Sequence, residues 1–143
     1  MPTLWTIGYE RRTPEALAAE LTAAGVQRVL DVRFRPQSRQ PGMSKTRLGA
    51  LLAEHGIAYV SRRDLGTPPD VRPFFRRGAV AEGAKALLAH IDPATLDALA
   101  SELVGAAPPT ALLCLEADPA HCHRTVIARA LQRRRPELHV VEL

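Results

Sequence analysis

The sequence predicts an α/β fold: a single three-layer domain over residues 1–143, with a mostly parallel sheet of about five strands and helices on both faces. Three observations predict it. Short β-branched or aliphatic runs alternate with longer amphipathic segments along the whole chain. Val29-Leu30-Asp31-Val32 and Thr110 to Leu115 are apolar almost throughout, as strands covered on both faces are. Thr13-Pro14 and Asp92-Pro93 each pair a helix-capping side chain with a ring that needs no N–H donor.

In order, Leu4 to Tyr9 mixes aromatic and β-branched residues and suits a first strand. Pro14 opens a helix whose inner face is Leu17, Leu21 and Ala24, and Gly25 suits its stop. Val26 to Val32 reads as the second strand. Arg33 to Met43 is irregular, with Pro36, Pro41 and Gly42. Ser44 is placed to cap a helix running to about His55, with Leu48, Leu51 and Leu52 inward. Ile57 to Val60 is a third strand, and Ser61 to Pro73 a second loop. Phe74 to Ile91 reads as helical in its later part, because Gly78 and Gly83 weaken the earlier part. Pro93 to about Val104 is a further helix. Pro108-Pro109 breaks the chain before the strand Thr110 to Leu115. A helix continues from Cys122-His123-Arg124 to Arg134, and Leu138 to Leu143 is a last short strand.

Composition narrows the partners. The basic residues are seventeen Arg and two Lys. Residues 28–47 carry a net +5, whereas the rest of the chain nets −1. That local excess favours an anionic small molecule or nucleic acid. No run approaches the ~20 apolar residues that span a bilayer, so no membrane partner is expected. The opening Met-Pro-Thr-Leu-Trp-Thr-Ile-Gly lacks a basic region followed by an apolar run. Two cysteines make no disulfide framework. A cytoplasmic protein with reduced thiols is the expectation. Nothing in the helices marks an obligate oligomer interface.

In a parallel sheet with right-handed crossovers, every strand ends at the same edge, and ligands bind there. That edge collects Tyr9, then Arg33 and Arg35, then Arg62 and Arg63, then Glu116 through Arg124. Arg33, Arg35, Ser38 and Arg39, with Lys45, form a candidate anion clamp on a loop shaped by Pro and Gly; the alternative is a solvated basic loop. Arg124, beside free helix N–H groups, suits a phosphate, sulfate or carboxylate; an ion pair with Glu116, Asp118 or Asp31 is the competing use. Glu116 is a candidate general base, although cationic neighbours are expected to hold its pKa down. Asp31, inside an apolar strand, needs a partner and reads first as an anchor for an arginine or a backbone N–H. Tyr9 can stack on a base or sugar, or cover the core edge.

Cys122 and His123 complete the candidate catalytic set. A thiol at a helix start beside His121, His123 and Arg124 can ionise and act as a nucleophile or persulfide carrier; packing beneath the loop is the alternative. Arg124 follows Cys122 by two residues with no glycine between, unlike a phosphatase-type loop. His121, Cys122 and His123 are adjacent, and adjacent residues rarely converge on one ion, so no metal and no cofactor is expected. Cys114 reads as core.

Several blocks together carry a family resemblance: Thr6-Ile-Gly-Tyr-Glu10; Asp31-Val-Arg33 with Pro36-Gln-Ser-Arg-Gln-Pro-Gly-Met-Ser-Lys45; Gly56-Ile-Ala-Tyr59 with Leu65-Gly66; and Leu113-Cys-Leu-Glu116 with Cys122-His-Arg124. The chain resembles the bacterial and archaeal domain-of-unknown-function family 488. Members often carry Phe where Met43 stands and a second Gly where Thr67 stands. The resemblance implies a single α/β domain and no established reaction. From residue types, the first expectation is a crevice for a phosphate-bearing or nucleotide-like ligand, with enzymatic chemistry open. A nucleic-acid-binding module without catalysis and sulfur transfer at Cys122 are the alternatives.

Overall fold

The computed structural model describes residues 2–116, 118 and 122–143. Strands β1 (Thr3–Gly8), β2 (Arg28–Asp31), β3 (Ala58–Ser61), β4 (Thr110–Cys114) and β5 (His139–Glu142) form one sheet in the order β3-β2-β4-β1-β5. Every neighbouring pair is parallel. The second strand starts two residues later than Val26, because Val26 N–H donates to Leu21 O (3.0 Å) and closes the end of the preceding helix instead. β4 is central and all five of its residues are buried. β3 is an edge strand, and its residues alternate between exposed and half-buried.

Side-chain alternation along the strands splits the core in two. Ile7, Val29, Ala111 and Leu113 face helices α1 (Pro14–Ala24) and α2 (Lys45–Glu54), which supply Leu17, Leu21, Leu48 and Leu52. Leu4, Leu30 and Leu112 face the opposite layer. That layer contains α4 (Val80–His90), α5 (Pro93–Val104) and α6 (His123–Arg134), which bury Leu87, Leu99, Ile127 and Leu131. The short α3 (Arg72–Arg76) precedes α4. This is the three-layer architecture expected from the alternating pattern. Among the described residues no helix is long and apolar enough to cross a membrane.

Caps behave as their chemistry dictates, with one exception. Thr13 accepts from Ala16 N–H (3.1 Å) and Asp92 from Ala94 N–H (2.9 Å). Ser44 has the extended backbone of an N-cap, but its hydroxyl makes no cap bond. It accepts from Ser38 N–H at 3.0 Å and so ties the preceding loop to the start of α2. The region 72–90 also differs from expectation. Helix begins early, at Arg72, and Gly78 at φ +78° turns the chain between α3 and α4.

Connection directions locate the functional edge. After β2 the chain passes through α2 to β3 on one side, and after β4 it passes through α6 towards β5 on the other. These neighbouring strands send their continuations apart and across opposite faces. A crevice therefore opens beyond their C-terminal ends.

One close approach shapes its rim. A 3₁₀ turn at Arg63–Leu65 ends at Gly66, and a Cβ on Gly66 would lie 2.5 Å from both the N and Cα of Phe34. Arg63 Nε donates to Phe34 O (2.8 Å) and its guanidinium lies 5.0 Å from the Phe34 ring centre. Residue 66 must be glycine for the two loops to touch. Gly66→Ala is expected to cost about 1–3 kcal/mol through backbone displacement. Urea denaturation should show a lower midpoint with an unchanged slope.

Candidate functional site

The strand ends interlock before they release their loops. Tyr9 N–H donates to Cys114 O (3.1 Å), and Val32 N–H donates to Leu113 O (3.0 Å). Tyr9, Arg33 and Glu116, each just beyond a strand, therefore share one edge. They line a crevice of about 770 Å³ with Phe34, Arg35, Gln37, Arg39, Thr67, Arg72, Phe75, Arg76, Cys114, Leu115 and His123.

Asp31 organises the back of this crevice. It is fully buried at the end of β2. Oδ1 accepts from Arg33 N–H (3.1 Å) and Arg33 Nε (2.9 Å); Oδ2 accepts from an Arg33 terminal nitrogen (2.7 Å) and the Tyr59 hydroxyl. The other terminal nitrogen of Arg33 donates to Met43 O (2.7 Å), and the guanidinium lies 5.1 Å from the Tyr9 ring centre. Burial opposes the Arg33 charge, but Asp31 holds its pKa above the ordinary value. Burial, reinforced by Asp31, also pushes the Tyr59 hydroxyl up. Asp31 thus has the partners a buried carboxylate needs. Arg33 reaches the crevice as a wall, with most of its donors already used.

The remaining clamp residues divide. Arg35 and Arg39 are exposed on the rim and line the crevice. Ser38 and Lys45 lie off its lining. Ser38 Oγ accepts from Gln40 N–H (3.0 Å), and Lys45 N–H donates to Pro36 O (2.9 Å) in the first turn of α2. Arg72 and Arg76, from α3, complete the rim opposite. Among the described residues no hydrogen bond or ion pair holds the guanidiniums of Arg35, Arg39, Arg72 or Arg76. Thr67 is only 6% exposed, and its hydroxyl has no hydrogen-bond partner among them.

Arg124 is 0% exposed and donates to the Glu116 carbonyl, so it lies behind the wall rather than in the lining. Burial pulls its pKa below the ordinary value, with Glu116 the largest opposing influence. Glu116 departs from expectation. Burial dominates its arginine neighbours and pushes its carboxyl above the usual carboxylate range, against a backbone hydrogen bond, Arg124 and Arg72. Local desolvation outweighs the nearby cations that the sequence brings to mind.

The two cysteines are paired instead of free. Cys122 is 1% exposed, and its sulfur is joined to Cys114 as a disulfide. Cys114 ends β4 and Cys122 is the N-cap of α6, and these two residues, eight apart in sequence, face each other. His123 is buried beside them. Its Nε2 donates to Val32 O (2.7 Å), and Nδ1 lies 3.6 Å from Cys114 Sγ and 4.0 Å from Cys122 Sγ. Glu116 Oε2 lies 3.0 Å from Cys114 Sγ. His121 lies outside the described residues.

Phe34, Gln37, Thr67, Arg72, Phe75 and Arg76 are lining residues that sequence reasoning missed. The Arg72-Pro-Phe-Phe-Arg76 run was a usable signal: two cations and two aromatics within one turn of helix.

Comparison with known proteins gives one finding. The model of the family described as "Domain of unknown function DUF488" matches residues 13–131, most of the chain. No curated protein and no solved structure matches it.

The buried imidazole generates a pH prediction. Burial is the main cause that lowers the His123 pKa, to about 4 from 6.5, even though the Val32 carbonyl favours its protonated form. Between those values the unfolded chain binds the proton and the folded chain does not. Stability is therefore fully present above about pH 6.5 and falls as the pH drops towards 4, by about 3 kcal/mol for this group. Urea titrations across that range should show the loss in the parent chain and a shallower one in His123→Gln.

Proposed function

Because the chain belongs to the DUF488 family, whose description leaves the reaction open, we propose from the crevice itself that the protein binds a phosphate-bearing ligand with a planar ring, such as a nucleotide. One observation carries the reading: Arg35, Arg39, Arg72 and Arg76 surround a single crevice whose lining holds one acid, Glu116, and no carboxylate among the described residues forms an ion pair with any of the four. A guanidinium donates two parallel hydrogen bonds to phosphate, and clustered guanidiniums that outnumber the local acids favour an incoming anion. The chemistry between them is suited to the rest of such a ligand. Phe34 and Phe75 contribute aromatic rings to the lining, and the Thr67 hydroxyl is buried with a hydrogen bond still to make.

In this reading Glu116 exchanges a proton with the bound ligand. Its raised pKa keeps it protonated at higher pH than an ordinary glutamate, which suits a general acid.

Calorimetric titration with ADP, inorganic phosphate and adenosine tests the reading. ADP should bind most tightly and adenosine least. Arg35→Ala and Arg76→Ala should each weaken ADP by about 10- to 100-fold, the size of one charge-assisted hydrogen-bond set. Unchanged ADP affinity in both variants would sink the proposal. Preference for a long single-stranded oligonucleotide, with affinity falling steeply as salt rises, would transfer it to nucleic-acid binding.

A further inference from the structure

The corner between β4 and α6 holds chemistry that phosphate binding does not use. Cys114, Cys122 and His123 bring two sulfurs and a ring nitrogen within 4.8 Å of one another. Glu116 Oε2 sits 3.0 Å from one of those sulfurs. We infer that, once the Cys114–Cys122 bond is reduced, Cys114, Cys122 and His123 bind one thiophilic divalent transition-metal ion of the zinc class at the floor of the crevice, with the Glu116 carboxyl beside them.

Spacing is the first argument. Zinc lies about 2.3 Å from sulfur and about 2.0 Å from imidazole nitrogen in a tetrahedral site, so neighbouring sulfur and nitrogen ligands stand about 3.5 Å apart. His123 Nδ1 stands 3.6 and 4.0 Å from the two sulfurs. The Cα atoms of Cys114 and Cys122 are 7.4 Å apart, which leaves room for an ion between the sulfurs after the bond opens. Three protein ligands leave the fourth corner open, as in zinc sites that keep a water, and Glu116 Oε2 stands 3.0 Å from Cys114 Sγ beside it.

The imidazole is already oriented for an ion. His123 Nε2 donates to Val32 O at 2.7 Å. That bond requires the proton on Nε2 and leaves the Nδ1 lone pair directed at the sulfurs. A backbone carbonyl on the far nitrogen is the usual outer support of a metal-ligating histidine. Charge points the same way. Cys114 and Cys122 are each 1% exposed, and two thiolates buried beside a carboxylate need a cation to neutralise them.

The redox step balances. A dithiol reductant gives two electrons and two protons, becomes a disulfide itself, and converts the Cys114–Cys122 bond to two thiols. The ion then displaces one proton from each sulfur. Exchange with an oxidised disulfide reverses both steps and removes two ligands at once. Metal and disulfide are therefore alternative states of one corner, and reducing surroundings favour the metal.

This inference does not rest on the phosphate reading, and its test contains no phosphate ligand. The chain is reduced with dithiothreitol, freed of reductant without oxygen, and titrated with Co²⁺. One equivalent should bind and give thiolate-to-cobalt charge-transfer absorption, which added Zn²⁺ abolishes by displacement. The oxidised chain should show no such band, and reduced Cys122→Ser should lose it. Should reduction unfold the chain, refolding by one equivalent of Co²⁺ with the same band supports the site, and failure to refold overturns it. A folded reduced chain without the band, an oxidised chain that binds equally, or a band that survives Cys122→Ser also overturns it.

Discussion

The buried carboxylate of Asp31 is the constraint on which the functional edge depends. It ends β2 with no exposed surface and accepts from Arg33 and Tyr59. Removing one partner of such a buried pair leaves a charge that the interior cannot solvate, a cost of about 3–5 kcal/mol. The arrangement is therefore tightly held. Through Arg33 it also fixes Met43, at the end of the loop before α2, and places a guanidinium over Tyr9 at the end of β1. Three strands and one loop are thus joined around a single carboxylate. The crevice needs this rigidity, because its remaining walls are loops.

Two populations of arginine follow. Arg33 and Arg124 are buried, and their donors face Asp31, Met43 O and the Glu116 carbonyl. They hold backbone in place. Arg35, Arg39, Arg72 and Arg76 line the crevice with guanidiniums that form no ion pair among the described residues, Arg72 facing Glu116 only through its charge. A guanidinium is suited to both tasks because its fork is planar and always charged. Position relative to the sheet decides which task each performs. Arg33, just past β2, and Arg124, in the first turn of α6, sit in the interior, and the residues on the loop after Arg33 or on α3 reach the rim.

The β4–α6 corner sets a different chemistry beside this cationic rim. Glu116, Cys114 and His123 line the same crevice, yet their environment is governed by burial. Desolvation raises the Glu116 pKa and lowers that of His123. Both shifts favour the neutral form, so the floor of the crevice resists charge unless a compensating ion enters. The two states inferred for the cysteine pair bear on this floor directly, since one of them brings a divalent cation next to the arginines.

Sequence by itself determined the layers and most element positions. Apolar runs of strand length, helix periods and the caps at Thr13 and Asp92 are local signals, and local backbone chemistry answers to them. It also determined that Asp31 must be paired and that the Arg33 to Lys45 stretch is special, because a carboxylate in an apolar strand and a Pro-Gly-Arg loop each have few physical solutions. Only the tertiary structure decided strand order, and with it the divergence of the chain after β2 and β4 that opens the crevice. It alone brought Arg72, Phe75 and Arg76 to the rim, placed Arg124 behind the wall and not within it, and reversed the expected direction for Glu116. It alone joined Cys114 to Cys122. The reason is common to all of these. Each depends on which faces and ends meet in space, and on how much water their meeting excludes, and neither quantity is carried by the spacing of residues along the chain.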